Sequence, residues 1–300
     1  MFWSSEPKSA VASCCSKSKR SRCARLLISS IAIPLGITIV PSTALAELLP
    51  LWEAGIGLTV LDFPDYPGAD ERTTYALPLP YFVYRGEKFK VGRDGIRGLF
   101  FESDRVELDF SVNASIPVKS TENQARQGMP DLDPTFQIGP TLNFTLHRHE
   151  MSKLQLRLPV RGVIATDFAH AQGAGVVFEP QIVLDINKLA FASGWRFGVS
   201  VGPLFADQRY NAYYYRVAPQ FATPQRPAYE ASAGYDGMQV LLSTSRRYRD
   251  WWVGAFVRYQ SLDGAVFRDS PLVKQRYALA GGFGFAWVFA RSGQLVDADE

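Results

Sequence analysis

From Val106 to Ile116 every second residue is apolar or small: Val106, Leu108, Phe110, Val112, Ala114 and Ile116 share one parity, and Glu107, Asp109, Ser111, Asn113 and Ser115 the other. Successive side chains of a strand point to opposite faces, so this segment reads as a strand with one greasy and one polar side. The pattern recurs in Phe136 to Leu146, Leu154 to Val160, Val176 to Ile186 and Trp195 to Val201. It ends in Tyr277, Leu279, Gly281, Phe283, Phe285, Trp287 and Phe289, whose intervening residues from Ala278 to Ala286 are all small. These alternations approach the 9 to 11 residues that a tilted membrane-spanning strand needs. Weaker strands are expected over Trp52 to Val60, Thr74 to Tyr84, Lys88 to Arg93, Arg97 to Glu102, Ser232 to Ser243 and Trp252 to Leu262. The expected fold is all-β, an antiparallel transmembrane β-barrel of about twelve strands, an even number as such barrels require.

Alternation alone does not say which face is inside, because a soluble lipocalin-like barrel shows the same period with its apolar residues inward. The N-terminus favours lipid. Lys8, Lys17, Lys19, Arg20, Arg22 and Arg25 precede an apolar run from Leu26 to Val40 and then Ala44-Leu45-Ala46. That order is the charged region, apolar region and small-residue site of a cleaved signal peptide, expected over residues 1–46. The run carries Pro34 and Gly36 and is too short for an anchoring helix of about 20 apolar residues. Residues 47–289 are then the barrel and 290–300 a C-terminal tail, in the outer membrane of a Gram-negative cell with lipid as its surroundings.

Cys14, Cys15 and Cys23 all lie in the expected leader, so no disulfide framework is expected beyond it. Subtracting the leader leaves 26 basic against 28 acidic residues, a net charge of about −2, which gives no electrostatic footing for nucleic acid. Arg85-Gly86, Asp94-Gly95 and Ser103-Asp104 read as tight turns, all expected on the periplasmic side. Long connections, Leu61 to Thr73, Lys119 to Asp133, Thr166 to Gly173, Ala206 to Ala231 and Asp263 to Arg276, belong on the outer side. The largest holds Tyr210, Tyr213, Tyr214 and Tyr215 with three prolines and is a candidate to fold into the lumen.

If the apolar parity meets lipid, Glu107, Asp109, Arg157, Arg161, Glu179, Asp185, Arg196 and Arg258 face the lumen. They either select solutes in a pore or pair across it as a plug, and plugging is favoured because side chains fill a small barrel. Tyr66, Pro67, Gly68 and Asp70 form a candidate recognition loop, although Pro and Gly there equally suit a turn. The histidines are His147, His149 and His170; His147-Arg148-His149-Glu150 reads as a solvated turn rather than a metal site. No cofactor, metal or catalytic constellation is expected, and an outer-membrane hydrolase is the least favoured class.

Phe63-Pro64-Asp65-Tyr66-Pro67-Gly68-Ala69-Asp70, then Leu77-Pro78-Leu79-Pro80-Tyr81-Phe82 and Tyr84-Arg85-Gly86, resemble the MipA/OmpV family of outer-membrane proteins. Val91-Gly92-Arg93-Asp94-Gly95, Asp269-Ser270-Pro271-Leu272-Val273 and Gly281-Gly282-Phe283-Gly284-Phe285 carry the same resemblance, which covers Leu51 to Phe289. It implies a scaffold that brings a murein lytic transglycosylase together with a bifunctional penicillin-binding protein. Other members look like porins or adhesins, so a small-solute pore is the alternative. These barrels often end on an aromatic residue, whereas here Ala290 to Glu300 follow Phe289.

Overall fold

The computed structural model describes residues 48–92, 95–187 and 193–297; the expected signal peptide lies outside the described residues. Leu48–Pro50 (β1) is followed by Trp52–Pro64 (β2), Arg72–Arg85 (β3), Phe89–Gly92 (β4), Gly95–Glu102 (β5) and Val106–Ala114 (β6). Thr135–His149 (β7), Ser152–Thr166 (β8), Ala171–Phe178 (β9), Gln181–Ile186 (β10) and Trp195–Ala206 (β11) come next. A helix, Gln208–Tyr215 (α1), precedes Gly234–Arg247 (β12), Trp251–Ser261 (β13), Tyr277–Arg291 (β14) and Leu295–Asp297 (β15). No described helix is long and apolar enough to cross a membrane.

The sheet closes on itself as a barrel of 12 antiparallel strands. β9 and β10 are one barrel strand interrupted at Glu179-Pro180, since Val160 pairs with Phe178 and Arg157 with Gln181 in unbroken register. Pro180 has no N–H to give, which ends the ladder locally. β2 and β14 form the seam between the two ends of the ring, with Val60 opposite Phe283. Outside the ring, Leu49 pairs with Val296, so Leu295–Asp297, within the segment expected as a C-terminal tail, forms a second, two-stranded sheet with β1.

The barrel is apolar outside, and the charged and polar side chains it buries lie inside. Ile56, Leu58, Leu242, Val257 and Phe283 are exposed, Phe283 at 55%, whereas Asp109, Thr135, Asn143, Gln155 and Ser245 are buried. That inversion of a soluble protein's pattern is what a hydrocarbon surround selects. Aromatic rings gather toward both ends, with Trp251 stacked on Phe285 at 4.8 Å near one rim and Tyr259 on Tyr277 at 6.2 Å near the other. Such girdles sit where amphipathic rings meet the headgroups.

Antiparallel strands change ends at every connection, so three successive turns cannot share one side. The connections at Arg85-Gly86 and Ser103-Asp104 lie at the end with the other short turns, so Gly95, which opens β5, lies toward the end of the long loops rather than with them; Asp94 lies outside the described residues. The loop expected from Leu61 to Thr73 is shorter, because β2 runs to Pro64 and β3 begins at Arg72.

The β4–β5 hairpin is also short. On its side away from β2, β3 pairs only through Tyr84 with Val91 and Arg85 with Lys90. Among the described residues, Arg72–Pro80 have ladder partners on the β2 side alone. Across the gap, β5 covers β6 only as far as the Arg97–Ser111 pair. At this level no described strand lies between β3 and β6, and three ordinary inter-strand spacings are about 14 Å.

Candidate functional site: the lumen and its cap

Four of the long loops converge on one core at the outer end. Tyr66 and Ala69 come from the β2–β3 loop, Val118, Ala125 and Leu132 from β6–β7, Tyr214, Tyr215 and Val217 from β11–β12, and Leu262, Phe267 and Leu272 from the β13 end and its loop. Tyr215 stacks on Phe267 at 3.7 Å and meets Tyr66 edge-on at 6.2 Å. The phenols are also polar ties: Tyr66 Oη donates to the Leu272 carbonyl at 2.9 Å, Tyr215 Oη to that of Pro67 at 3.0 Å and Tyr213 Oη to that of Asp133 at 3.0 Å. Burial pushes the Tyr66, Tyr214 and Tyr215 phenols up, so they remain neutral donors at physiological pH.

Arg126 is a centre of this cap. Its guanidinium donates to the carbonyls of Tyr214 and Pro130, both at 3.1 Å, and lies 5.9 Å from the Tyr66 ring centroid. Asn123 Nδ2 donates to Asp65 Oδ2 and the Gln124 N–H to Glu71 Oε2, both at 2.8 Å, which fastens the β6–β7 loop to the β2–β3 loop. Of the candidate recognition loop, Tyr66 is only 2% exposed and Gly68 is buried at φ +93°, while Asp70 is exposed. Its ring therefore meets other loops of the same chain.

Below the cap the lumen has two unlike walls. One is ionic. Arg161 Nη1 meets Glu179 Oε2 at 2.5 Å and its Nε donates to Ser111 Oγ at 3.0 Å; Arg157 lies 3.9 Å from Asp185 and donates to Gln155 Oε1 at 3.2 Å. Asn143 Nδ2 donates to Asp109 Oδ2 at 3.1 Å, and Arg97 lies 3.9 Å from Glu107. Arg157 with Gln155 lies on one strand and Arg161 with Ser111 reaches across β7; the other contacts join neighbouring strands. Arg196 is half-buried on the same parity of β11 as Gly198, which faces Asp185.

The other wall is apolar. Residues opposite each other on neighbouring strands share a face. Across β3, β2, β14 and β13, one inward row therefore reads Tyr75, Leu61, Gly282 and Phe256, and the next Leu77, Thr59, Gly284 and Gly254. A third reads Leu79, Gly57, Ala286 and Trp252. The small residues of β14 admit the rings beside them: a Cβ on Gly282 would lie 2.6 Å from both Leu61 and Phe256. Tyr81 and Trp252 are 5.7 Å apart. One step outward Arg258 pairs with Ala280, its guanidinium 6.0 Å from the Phe63 ring, at a cavity of about 50 Å³ that Gln260 and Pro67 also line.

At the periplasmic end Glu53, 3% exposed, is held by Arg85 Nη2 at 3.1 Å and Arg247 Nε at 2.7 Å. The sequence reading missed this cluster, because its members come from β2, β3 and β12 and no spacing links them. The histidines do not come together: His170 meets Asp167 at 3.4 Å in the exposed β8–β9 turn, while His147 and His149 end β7 at the opposite rim. Among the described residues no group of three His, Cys, Asp or Glu is placed to hold a metal.

A family model described as MltA-interacting protein MipA matches residues 56–289. No curated protein matches the chain. Similar solved structures include an outer membrane channel from Pseudomonas putida F1 (9% identity, TM-score 0.39, 81% of this chain and 98% of that one). The NanC porin is similar at 8% identity and TM-score 0.37, over 77% of this chain and 98% of that one.

Proposed function

This chain belongs to the family described as MltA-interacting protein MipA, and we propose that it works as an outer-membrane scaffold for enzymes that cut and build murein. The observation that carries this reading is the cap: four loops share one buried core across the outer mouth, so the barrel offers surfaces rather than an open axial channel. At the rim facing the murein the β7–β8 and β12–β13 turns present exposed Arg148 and Arg249. We further propose that residues 1–46 are the export signal.

The second reading, a small-solute pore, is supported by the ionic wall, whose partners lie along the wall and leave the bore to be filled by something else. Both are tested on the purified barrel. Binding of a purified lytic transglycosylase and a bifunctional penicillin-binding protein at once, with little single-channel conductance, is the expected result. Steady conductance that changes with Arg157→Gln or Arg196→Gln, without binding of either enzyme, would put the pore first.

A further inference from the structure

The open side of β3 is built to stay open. The hydrogen bonds flanking the β2–β3 ladder, Asp65 N–H to the Glu71 carbonyl and Arg85 N–H to the Leu51 carbonyl, put the odd residues of β3 in hydrogen-bonded pairs with β2. Bonded and non-bonded pairs alternate along an antiparallel ladder, so the even residues direct their backbone groups away from β2, into the gap. Two of these are Pro78 and Pro80. Proline has no N–H, and its ring blunts an edge against another strand. Two donors that would otherwise stand unpaired at membrane depth are thus absent from a stretch of β3 that has no described neighbour on that side.

The opening leads onto the apolar wall. Leu77 belongs to the inward parity yet is 40% exposed, and Leu79 and Tyr75 flank it on the same face. Above, the β6–β7 loop closes the opening through its bonds to Asp65 and Glu71; below, the β4–β5 hairpin does. At the outer end of this wall stands Arg258. Among the described residues no salt bridge joins it to a carboxylate; the Phe63 ring lies 6.0 Å away, and Glu179, whose charge reaches it, is bonded to Arg161 at 2.5 Å. A hydrocarbon surface ending in an unmatched guanidinium fits one chemistry, a chain or ring bearing a single anionic head.

We propose that the gap between β3 and β6 is a lateral window through which an amphipathic carboxylate, with an acyl or aryl body, passes between the outer leaflet and the lumen, its head taken by Arg258. This goes beyond the scaffold reading and does not rest on it. A second copy of the chain seated on the edge is disfavoured, because strand addition needs the N–H groups that Pro78 and Pro80 lack.

The test uses the full barrel in lipid nanodiscs. A bimane probe is placed at Leu77→Cys, at Thr59→Cys on the same inward row but one strand from the edge, and at Leu279→Cys on the outer face. Lipids carrying a chain-borne nitroxide should quench the probe at position 77 at least half as strongly as at 279, and at 59 far less. Equal weak quenching at 77 and 59 overturns the window, as does a dimer in native mass spectra with position 77 shielded. Separately, cis-parinaric acid should bind with energy transfer from tryptophan, and Arg258→Gln should weaken it about tenfold while leaving parinaryl alcohol unchanged. Loss of both ligands alike, or of neither, overturns the role of Arg258.

Discussion

Glu53 is a carboxylate shut in with two guanidinium groups, and its removal takes away the negative charge that both of them face. Glu53→Gln should destabilise the folded barrel by about 3 kcal/mol, since breaking a buried pair strands the remaining charge. The check is the temperature at which the compact band on an unheated gel gives way to the unfolded one; an unchanged temperature refutes it. Parity gives a second contrast. Phe283→Arg, on the outward face, should cost roughly 2 to 4 kcal/mol near the membrane midplane, whereas Gln155→Arg, on the inward face, should cost far less. A larger loss for Gln155→Arg than for Phe283→Arg, measured by urea unfolding in liposomes, would mean that the faces are exchanged. The cap tyrosines supply a pH dependence. Their pKa values are raised by burial above the ordinary value near 10. Ionisation is therefore resisted by the folded cap, and its contribution to stability is complete below about pH 10 and lost as pH climbs toward the raised values. The share of phenolate absorbance lost when these three tyrosines are changed to phenylalanine should appear late and steeply in the intact barrel; a titration of that share centred at 10 contradicts it.

Most of the strands were legible because lipid outside and polar groups inside impose period two along their length. Val106 to Ala114 and Tyr277 to Phe289 show it without interruption. β13 was harder to read, since Trp251 and Trp252 give it aromatic residues on both faces, one set for lipid and one for the lumen wall. The cap was legible only as a tyrosine-rich loop suited to folding inward; that it is a core shared by four loops depends on contacts such as Tyr215 with Phe267, between segments that no sequence period relates. The ionic residues were assigned to the lumen by parity, but their partners follow register, which alternation does not reveal. β3 carries its own signal in Leu77-Pro78-Leu79-Pro80. Replacing both prolines with valine should restore donors to the free edge and make it competent for pairing. The expected outcome is dimers or higher species after refolding, seen by native mass spectrometry; a strictly monomeric double variant would show that something already covers the edge.

At the scale of the molecule, the cap decides whether the bore is a passage. Replacing residues 208–231 with a short Gly/Ser linker removes α1 and the Tyr214, Tyr215 and Val217 share of the core. Steady single-channel conductance should then appear where the intact barrel shows little, and continued silence would mean that the wall side chains themselves block the bore. The pairing of β1 with β15 has a different kind of consequence, one of timing. Leu48–Pro50 and Leu295–Asp297 come from opposite ends of the chain, and only the meeting of β2 with β14 brings them within reach. Their bonds are therefore expected to form once the ring has closed. The little sheet is a clasp fastened after the fact, and deuterium retention at Leu49 and Val296 should mark the moment when assembly is over.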